Sequence, residues 1–220
     1  MRHDLESNVL VMAHESENTP QRTISLFYLC WHTILDIVFG VCGLLALLLL
    51  LPMIALLIPL DSPGPVFYTQ ERLGYRERTF YIRKFRSMYI DAEPAGQAIW
   101  ATENDMRVTR VGRFMRATRL DELPQVINIL CGEMSLIGPR PERKEFVTIL
   151  EKRIPLYRCR LSVKPGLTGW AQVKYRYGNT EHDAQVKLHY DLYYIKHWSP
   201  MLDILILCKT IIEIVSRRGV

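Results

Sequence analysis

The sequence predicts an α+β protein that is mainly helical and that has one segment inside a membrane. Three observations support this class. Residues 37–60 form an apolar run without a charged residue. Residues 65–68 and 79–85 alternate between apolar and polar side chains, which is typical of a short β-hairpin. Most of the remaining chain has apolar residues at helical spacing. At 220 residues the chain suits one domain of ordinary size.

The membrane segment spans residues 24–60, in which Asp36 is the only charged residue. As a helix, residues 37–60 would be roughly 36 Å long, and a hydrocarbon core is about 30 Å thick. The run is too long for a signal peptide, and DSPGP follows it instead of a cleavage site. Because Pro52 removes a backbone donor within the run, spanning and re-entrant forms both remain open.

Three regions follow from this reading. Residues 1–23 are polar without apolar periodicity and are expected to form a flexible tail; residues 24–60 form the membrane region, and residues 61–220 the domain beyond it. Residues 62–119 carry eleven Lys and Arg against six Asp and Glu, which predicts the cytoplasmic side of the membrane. The net charge of +5 suits an anionic partner. Five cysteines without a CxxC pattern predict reduced thiols.

Helices are expected in the domain on both sides of a break at GPRP. The apolar spacing predicts them at residues 107–117, 123–130 and 142–160. Residues 182–198 interleave tyrosines with His, Lys and Trp, and residues 201–215 are apolar with one polar stripe; each is either an interfacial or a core helix. The stretch 91–105 is either a lid over a substrate or a plain surface loop.

Asp121 and Glu122 are the strongest candidates for chemistry. On a helix, neighbouring side chains project about 100° apart, which suggests two different roles. One carboxylate could attack phosphorus to form an acyl phosphate, and the other could hold a metal or take a proton. The alternative is structural: Asp121 caps the next helix, with Pro124 in its first turn, and Glu122 is solvated.

Cations near this pair would neutralise a diphosphate substrate, because arginine grips phosphate oxygens in pairs. The candidates are Lys84, Arg86, Arg116, Arg119 and Arg140. Each of them alone is more often a surface charge, and only their grouping around the carboxylates favours phosphate binding. Magnesium, bound by Asp121 and Glu122 together with substrate phosphates, is the expected cofactor. The chain has no GxxxxGK[ST], GxGxxG, HExxH or GxSxG motif, which removes the main support for kinases, dehydrogenases, zinc proteases and serine hydrolases.

Four motifs resemble, in order and spacing, those of the bacterial sugar transferase family. They are SPGPVFYTQERLG, FYIRKFRSM, TRLDELPQVINILCGEMSLIGPRPE and VKPGLTGWAQV. The family consists of monotopic polyprenyl-phosphate phosphoglycosyl transferases. The resemblance implies a re-entrant helix that enters and leaves on the cytoplasmic side of the bacterial inner membrane and is broken at Pro52. Family members often have Ser before this proline, whereas here the residue is Leu51.

The same resemblance implies a mechanism. Asp121 would attack the phosphate next to the sugar of a nucleotide sugar, which we expect to be a UDP-sugar, and would release UMP. Polyprenyl phosphate would then take the sugar phosphate from the enzyme, while Glu122 positions metal or manages a proton. Lys84, Arg86, Arg119 and Arg140 match family motif positions and are assigned to phosphate binding. The short tail implies the minimal form of the family, and the segment YGNTEHDAQVKLHYDLYYIKHWSPMLD resembles the exopolysaccharide branch.

The expected partners are therefore a nucleotide sugar, polyprenyl phosphate and membrane lipid, with no nucleic acid. A homo-oligomer stays an open alternative. Two other functions compete with this one. A membrane glycosyl transferase would release UDP instead of UMP, and a non-catalytic membrane adaptor would use its basic face without needing Asp121 or Glu122. The sugar, the nucleotide base and the polysaccharide pathway are not encoded in these motifs.

Overall fold

The computed structural model of the chain describes residues 25–92, 105–175, 178 and 180–216. The predicted tail and most of the predicted lid lie outside these residues. The described part is mainly helical with two small sheets, as the sequence predicts. Its elements are α1 Leu26–Asp61, β1 Phe67–Leu73, β2 Thr79–Phe85, α2 Arg110–Ala117, α3 Gln125–Leu130, β3 Ser135–Ile137, α4 Lys144–Leu150, β4 Gly166–Thr168, α5 Trp170–Lys174, α6 Glu181–Lys196 and α7 Pro200–Val215.

Helix α1 is the predicted membrane segment. It has 36 residues, which corresponds to a length of about 54 Å. Within the described ranges it is the one helix that is long and apolar enough to cross a membrane, by length and composition. It ends at Asp61, just before Pro63, a residue that commonly follows a helix end. The helix continues through Pro52, so this proline does not end it. The predicted re-entrant path remains a prediction.

The middle of α1 packs closely on α3. A Cβ atom on Gly43 would lie 2.5 Å from Val126 Cγ1, so only glycine permits this approach of the two helices. Further along, one face of α1 enters an apolar cluster formed with β2, α2 and α3. The buried members of that cluster are Leu47, Ile54, Ile58, Phe85, Met115 and Val126. The helix therefore lies along the domain over much of its length.

The first third of α1 is attached to the domain through two carboxylates, one on α1 and one on α7. Asp36 accepts hydrogen bonds from Ser135 Oγ at 2.8 Å and from the backbone N–H of Leu136 at 2.7 Å. Asp203 of α7, which is fully buried, accepts one from Trp31 Nε1 at 3.1 Å. An ionisable side chain in a membrane segment usually pairs inside the protein in this way.

The last turn of α1 is attached to the same domain. Asp61 Oδ2 accepts a hydrogen bond from the backbone N–H of Val111 at 2.8 Å. The Arg86 guanidinium donates to the carbonyl oxygens of Ser62 and Pro63, the latter at 2.9 Å. Both ends of α1 thus contact one domain.

Strands β1 and β2 form the predicted antiparallel hairpin, with Phe67 opposite Phe85. The first strand begins two residues later than predicted and is longer, because pairing with β2 extends it to Leu73. The connection is a short 3₁₀ turn over Tyr75–Glu77, in which Arg76 has a left-handed φ of 52°. The hairpin carries Lys84 and leads to Arg86.

A second, parallel pair joins β3 to β4 and was not predicted. Ser135 lies opposite Gly166, and Ile137 lies opposite Thr168. A Cβ atom on Gly166 would lie 2.0 Å from the backbone nitrogen of Gly138, so this glycine is needed for the close approach. The pair fixes the start of residues 138–142, which we call the GPRPE loop.

The single helix predicted at residues 142–160 is wrong. The chain forms α4, then turns, and then a 3₁₀ helix over Tyr157–Ser162. Pro155 explains the interruption, because its ring clashes with a preceding helical turn and disfavours a helical residue before it. Leu156 follows with a left-handed φ of 61°.

Helices α6 and α7 differ in how they meet solvent. In α6, Leu188, Asp191 and Tyr194 are buried against the domain. In α7, Asp203 and Ile206 face inward, and most of the other apolar side chains are exposed. The exposed set is Met201, Ile204, Leu205, Ile211, Ile212, Ile214 and Val215. This face fits the predicted interfacial helix better than a core helix.

Candidate active site

The two candidate carboxylates lie in a 3₁₀ turn, not in a helix. The turn spans Leu120–Glu122 and follows Arg119, whose φ of 60° is left-handed. A non-glycine residue in this region costs energy and is often found at functional sites. The prediction that Asp121 caps the next helix is wrong, because α3 starts after Pro124 and has no side-chain cap. Asp121 and Glu122 are both buried.

Glu122 is held between two cations from different parts of the chain. Its Oε1 lies 2.8 Å from Lys84 Nζ and 2.6 Å from Arg140 Nη2. Burial alone would raise the pKa of Glu122, but Arg140 and Lys84 outweigh burial and hold this pKa well below its usual range. Glu122 is therefore ionised and neutralised by its partners.

Asp121 has a different environment. Among the described residues, no side chain or backbone group forms a hydrogen bond or ion pair with its carboxylate. Burial, and then the neighbouring charge of Glu122, raise the pKa of Asp121 to about 6, against the opposing charge of Lys84. The solvated alternative for the pair is wrong as well, because Glu122 is buried and paired.

Arg116 and Arg119 lie near the carboxylates without bonding to them. Both contribute positive charge that lowers the pKa of Asp121, after burial and Glu122 have raised it. Arg116 Nε donates to Ser87 Oγ at 2.9 Å. Ser87 was not predicted as a site residue, although it lies in the motif FYIRKFRSM. These two arginines remain available to meet an anion that approaches Asp121.

Arg86 bonds to a different part of the molecule. Its side chain is buried and is bonded to the carbonyl oxygens after α1. The structure therefore brings together Lys84, Arg116, Arg119 and Arg140 around the two carboxylates, and uses Arg86 to hold the end of α1. The SPGP turn is the sequence feature that could have indicated this role of Arg86, because backbone carbonyl oxygens in a turn need hydrogen-bond donors when the turn packs against the protein.

The residues present fit a magnesium ion of the kind that binds substrate phosphates. Mg²⁺ usually takes only one or two carboxylates from the protein in such sites. Asp121 and the second oxygen of Glu122 offer that number. No group of three or more His, Cys, Asp and Glu side chains occurs within the described ranges, so a preformed all-protein metal cage is not found there.

The candidate site thus consists of two buried carboxylates among cations, in a domain packed on one long apolar helix. A family model described as bacterial sugar transferase matches residues 27–217. The chain belongs to this family.

Several transferases are similar in sequence to most of this chain. The chain is 50% identical over 165 residues to a UDP-N-acetylgalactosamine-undecaprenyl-phosphate N-acetylgalactosaminephosphotransferase of Aeromonas hydrophila, covering 75% of this chain and 39% of that protein. It is 43% identical over 185 residues to a UDP-glucose:undecaprenyl-phosphate glucose-1-phosphate transferase of Xanthomonas campestris pv. campestris, covering 83% and 38%. These matches therefore span about two fifths of the relatives' length.

A third relative is matched over almost its whole length. The exopolysaccharide production protein PSS of Rhizobium leguminosarum bv. phaseoli is 37% identical over 187 residues, which cover 83% of this chain and 94% of that protein. The family-model match, residues 27–217, includes both candidate carboxylates and the four cations around them.

Proposed function

We propose that this protein transfers a sugar phosphate from a UDP-sugar to undecaprenyl or another polyprenyl phosphate and releases UMP. The observation that carries the proposal is the contrast between two adjacent buried carboxylates. Glu122 is paired with Lys84 and Arg140, whereas Asp121 has no partner among the described residues. A carboxylate that acts as a nucleophile must be free to reach phosphorus, as Asp121 is. Glu122 is held by its two cations and does not compete with Asp121 for the phosphorus atom.

The first step forms a covalent intermediate. An Asp121 carboxylate oxygen attacks the phosphorus next to the sugar, and the bond from that phosphorus to the bridging oxygen breaks. UMP leaves with the bonding electrons, and an aspartyl sugar-phosphate remains. Its mixed anhydride bond stores the energy for the second transfer.

The second step regenerates the enzyme. A phosphate oxygen of the polyprenyl phosphate attacks the same phosphorus, and the bond from Asp121 to phosphorus breaks. The product is a polyprenyl diphosphate sugar, and Asp121 is again a free carboxylate. Arg116, Arg119 and Arg140 surround this position with positive charge and stabilise the negative charge on the transferring group. When bound at Asp121 and Glu122, Mg²⁺ would neutralise diphosphate charge.

The attachment of α1 supports a re-entrant path on the cytoplasmic face of the inner membrane. Trp31, in the second turn of the helix, and Asp61, its last residue, bond to the same domain. A helix that carried the chain across the bilayer would separate its ends by the membrane thickness. A bend at Pro52 within α1 would let both ends reach the side on which the polyprenyl phosphate headgroup lies.

The product class follows from the relatives' names. Two of them act with undecaprenyl phosphate and a UDP-sugar by name, and a third is named for exopolysaccharide production. We propose that the polyprenyl diphosphate sugar made here begins an exopolysaccharide, capsule or O-antigen-like glycan.

The test is to incubate the purified full chain in lipid or detergent with Mg²⁺, undecaprenyl phosphate and a panel of UDP-sugars, and to identify the released nucleotide. We expect UMP with one donor, and loss of release in Asp121→Asn. Without acceptor, the wild type should gain the mass of one sugar phosphate, and hydroxylamine should remove it. UDP release, or UMP release that survives Asp121→Asn, would overturn the proposal.

A further inference from the structure

The GPRPE loop, residues 138–142, is held through its backbone by two arginines. The carbonyl oxygen of Arg140 accepts a hydrogen bond from Arg160 Nη2 at 2.9 Å. The carbonyl oxygen of Pro141 accepts one from Arg72 Nη1 at 3.2 Å. These two contacts add to the pairing of residues 138 and 139 with β4. This arrangement orients the backbone from which the Arg140 side chain projects.

Arg160 is itself built into the protein. It is 6% exposed, and its Nη1 donates to Tyr157 Oη at 2.8 Å. Its Nη2 lies 2.9 Å from Asp191 Oδ2 of α6, a contact of charge and distance and not an aligned hydrogen bond. A buried charge pair of this kind is costly unless its geometry satisfies several groups at once. Here one planar guanidinium contacts a hydroxyl, the carboxylates of Asp191 and Glu142, and a loop carbonyl.

The Arg140 side chain needs such support. It is 41% exposed, so packing around it does not determine its position. Yet its Nη2 lies 2.6 Å from Glu122 Oε1, in the centre of the candidate site. The position of its backbone therefore decides whether the guanidinium reaches Glu122.

We infer that Arg160 and Asp191 are positioning residues that hold the backbone of Arg140 so that its guanidinium stays on Glu122. The inference rests on the proposed function for its catalytic consequence. Neither residue touches the carboxylate pair. Arg160 reaches the loop at the carbonyl oxygen of Arg140 and at the Glu142 carboxylate, whose Oε1 lies 3.7 Å from Arg160 Nη1.

The link extends to the membrane helix. Tyr194 lies one turn after Asp191 on α6, and its hydroxyl is 3.1 Å from His32 Nε2 of α1. Asp191 and Tyr194 lie on the same continuous helix, α6. The position of the Arg140 backbone is therefore coupled to that of α1. A phosphate site held in this way stays at a constant place relative to the membrane segment.

The test uses the full chain in the same lipid or detergent. Arg160→Met alone would leave Asp191 buried without a counter-charge, so Arg160→Met is combined with Asp191→Asn to keep the protein folded. The control is Arg153→Gln, which removes an ion pair of 2.8 Å to Glu181, also on α6 but exposed and remote from the loop. Each variant is also made in an Arg140→Met background. Steady-state release of UMP and hydrogen exchange of the peptide containing residues 138–142 are measured.

We expect the double variant to lower kcat by about tenfold to a hundredfold, because a misplacement of about 1 Å costs that much. Exchange in the GPRPE loop should rise, and Arg153→Gln should change neither quantity. In the Arg140→Met background the double variant should have no further effect on kcat.

Unchanged exchange in the loop, or equal losses of kcat with and without Arg140, would overturn the inference. If the wild type releases no nucleotide with any donor, the proposed function fails by itself. The exchange measurement then still decides the positioning role: a rise confined to the double variant supports it, and no rise overturns it.

Discussion

Lys84 Nζ lies 2.8 Å from Glu122 Oε1, and this contact ties strand β2 to the turn that carries both candidate carboxylates. Asp121, the adjacent residue, has no such partner among the described residues. The two carboxyl groups therefore have opposite acidities: the pKa of Glu122 is held well below its usual range by Arg140 and Lys84 against the effect of burial, and burial raises that of Asp121 to about 6.

Asp121→Asn should make the protein more stable at pH 7. The folded-state pKa of about 6 lies above the unfolded value, so the ionised carboxylate opposes folding once the pH exceeds the folded pKa. An amide of the same shape removes the buried charge. We expect a gain of roughly 1–3 kcal/mol, seen as a higher midpoint of thermal unfolding in detergent. An unchanged or lower midpoint would contradict the assigned environment.

Glu122→Gln should have the opposite effect on the free energy of unfolding. It leaves Lys84 and Arg140 without the carboxylate that neutralises them in a buried site, which typically costs about 3–5 kcal/mol. Because the pKa of Glu122 is depressed in the folded state, its contribution is present above the unfolded pKa and is lost as the pH falls toward the folded pKa. The same thermal scan checks the sign, and a midpoint equal to that of Asp121→Asn would refute it.

The pH dependence of kcat/KM should show an acid limb near pH 6. Asp121 must be ionised to attack phosphorus, and kcat/KM reports the free enzyme. Lys84 lowers the pKa of Asp121, although less than burial and Glu122 raise it, so Lys84→Gln should move the limb to higher pH. Lys164→Gln, which changes an exposed lysine, is the control. A limb that stays in place in Lys84→Gln would mean that another group controls it.

Arg86→Met should reduce stability without weakening nucleotide-sugar binding. Arg86 bonds to the carbonyl oxygens of Ser62, which is buried, and Pro63, which is exposed. Its loss leaves the Ser62 acceptor unsatisfied, at about 1–3 kcal/mol. Arg140→Met, in contrast, should raise KM or lower kcat. The thermal midpoint and the steady-state constants of both variants are compared. A raised KM in a fully stable Arg86→Met would restore its assignment to phosphate binding.

Gly43→Val should separate α1 from α3. Its new side chain would meet Val126 at a distance that real Cβ atoms do not show, so the helices must move apart, at about 1–3 kcal/mol. Leu45→Val introduces the same residue at an exposed position of α1 and should change stability by less than about 0.5 kcal/mol. The midpoints of thermal unfolding in lipid check this, and equal midpoints would show that the contact is not needed.

Much of the site could be predicted because it is local in the chain. Arg119, Asp121 and Glu122 are nearly adjacent and are marked by the LDELP motif. The GPRP motif marks Arg140. Neither motif requires tertiary information. The long apolar helix and the hairpin were also predictable, since their periodicities depend only on neighbouring residues. The prediction of a single helix at 142–160 was wrong because the helical spacing of apolar residues continues on both sides of Pro155, although the proline itself interrupts the helix.

Long-range pairings could not be read from the chain. Arg86 and Lys84 are two residues apart in one motif, yet one bonds to the end of α1 and the other to Glu122. The pairing of each cation with its oxygen depends on how β2 lies against the turn Leu120–Glu122. It also depends on which side chains become buried, and several segments together determine that. The same holds for Arg160 and Asp191, whose side chains meet only in the folded protein.

By itself, the sequence predicted the family, the long apolar helix and the two candidate carboxylates, because these depend on composition, periodicity and motifs along the chain. Only the tertiary structure decided that Glu122 is neutralised while Asp121 is left free, and that both ends of α1 meet one domain. Electrostatic environment and helix attachment are set by residues far apart in sequence, whose distances exist only after folding.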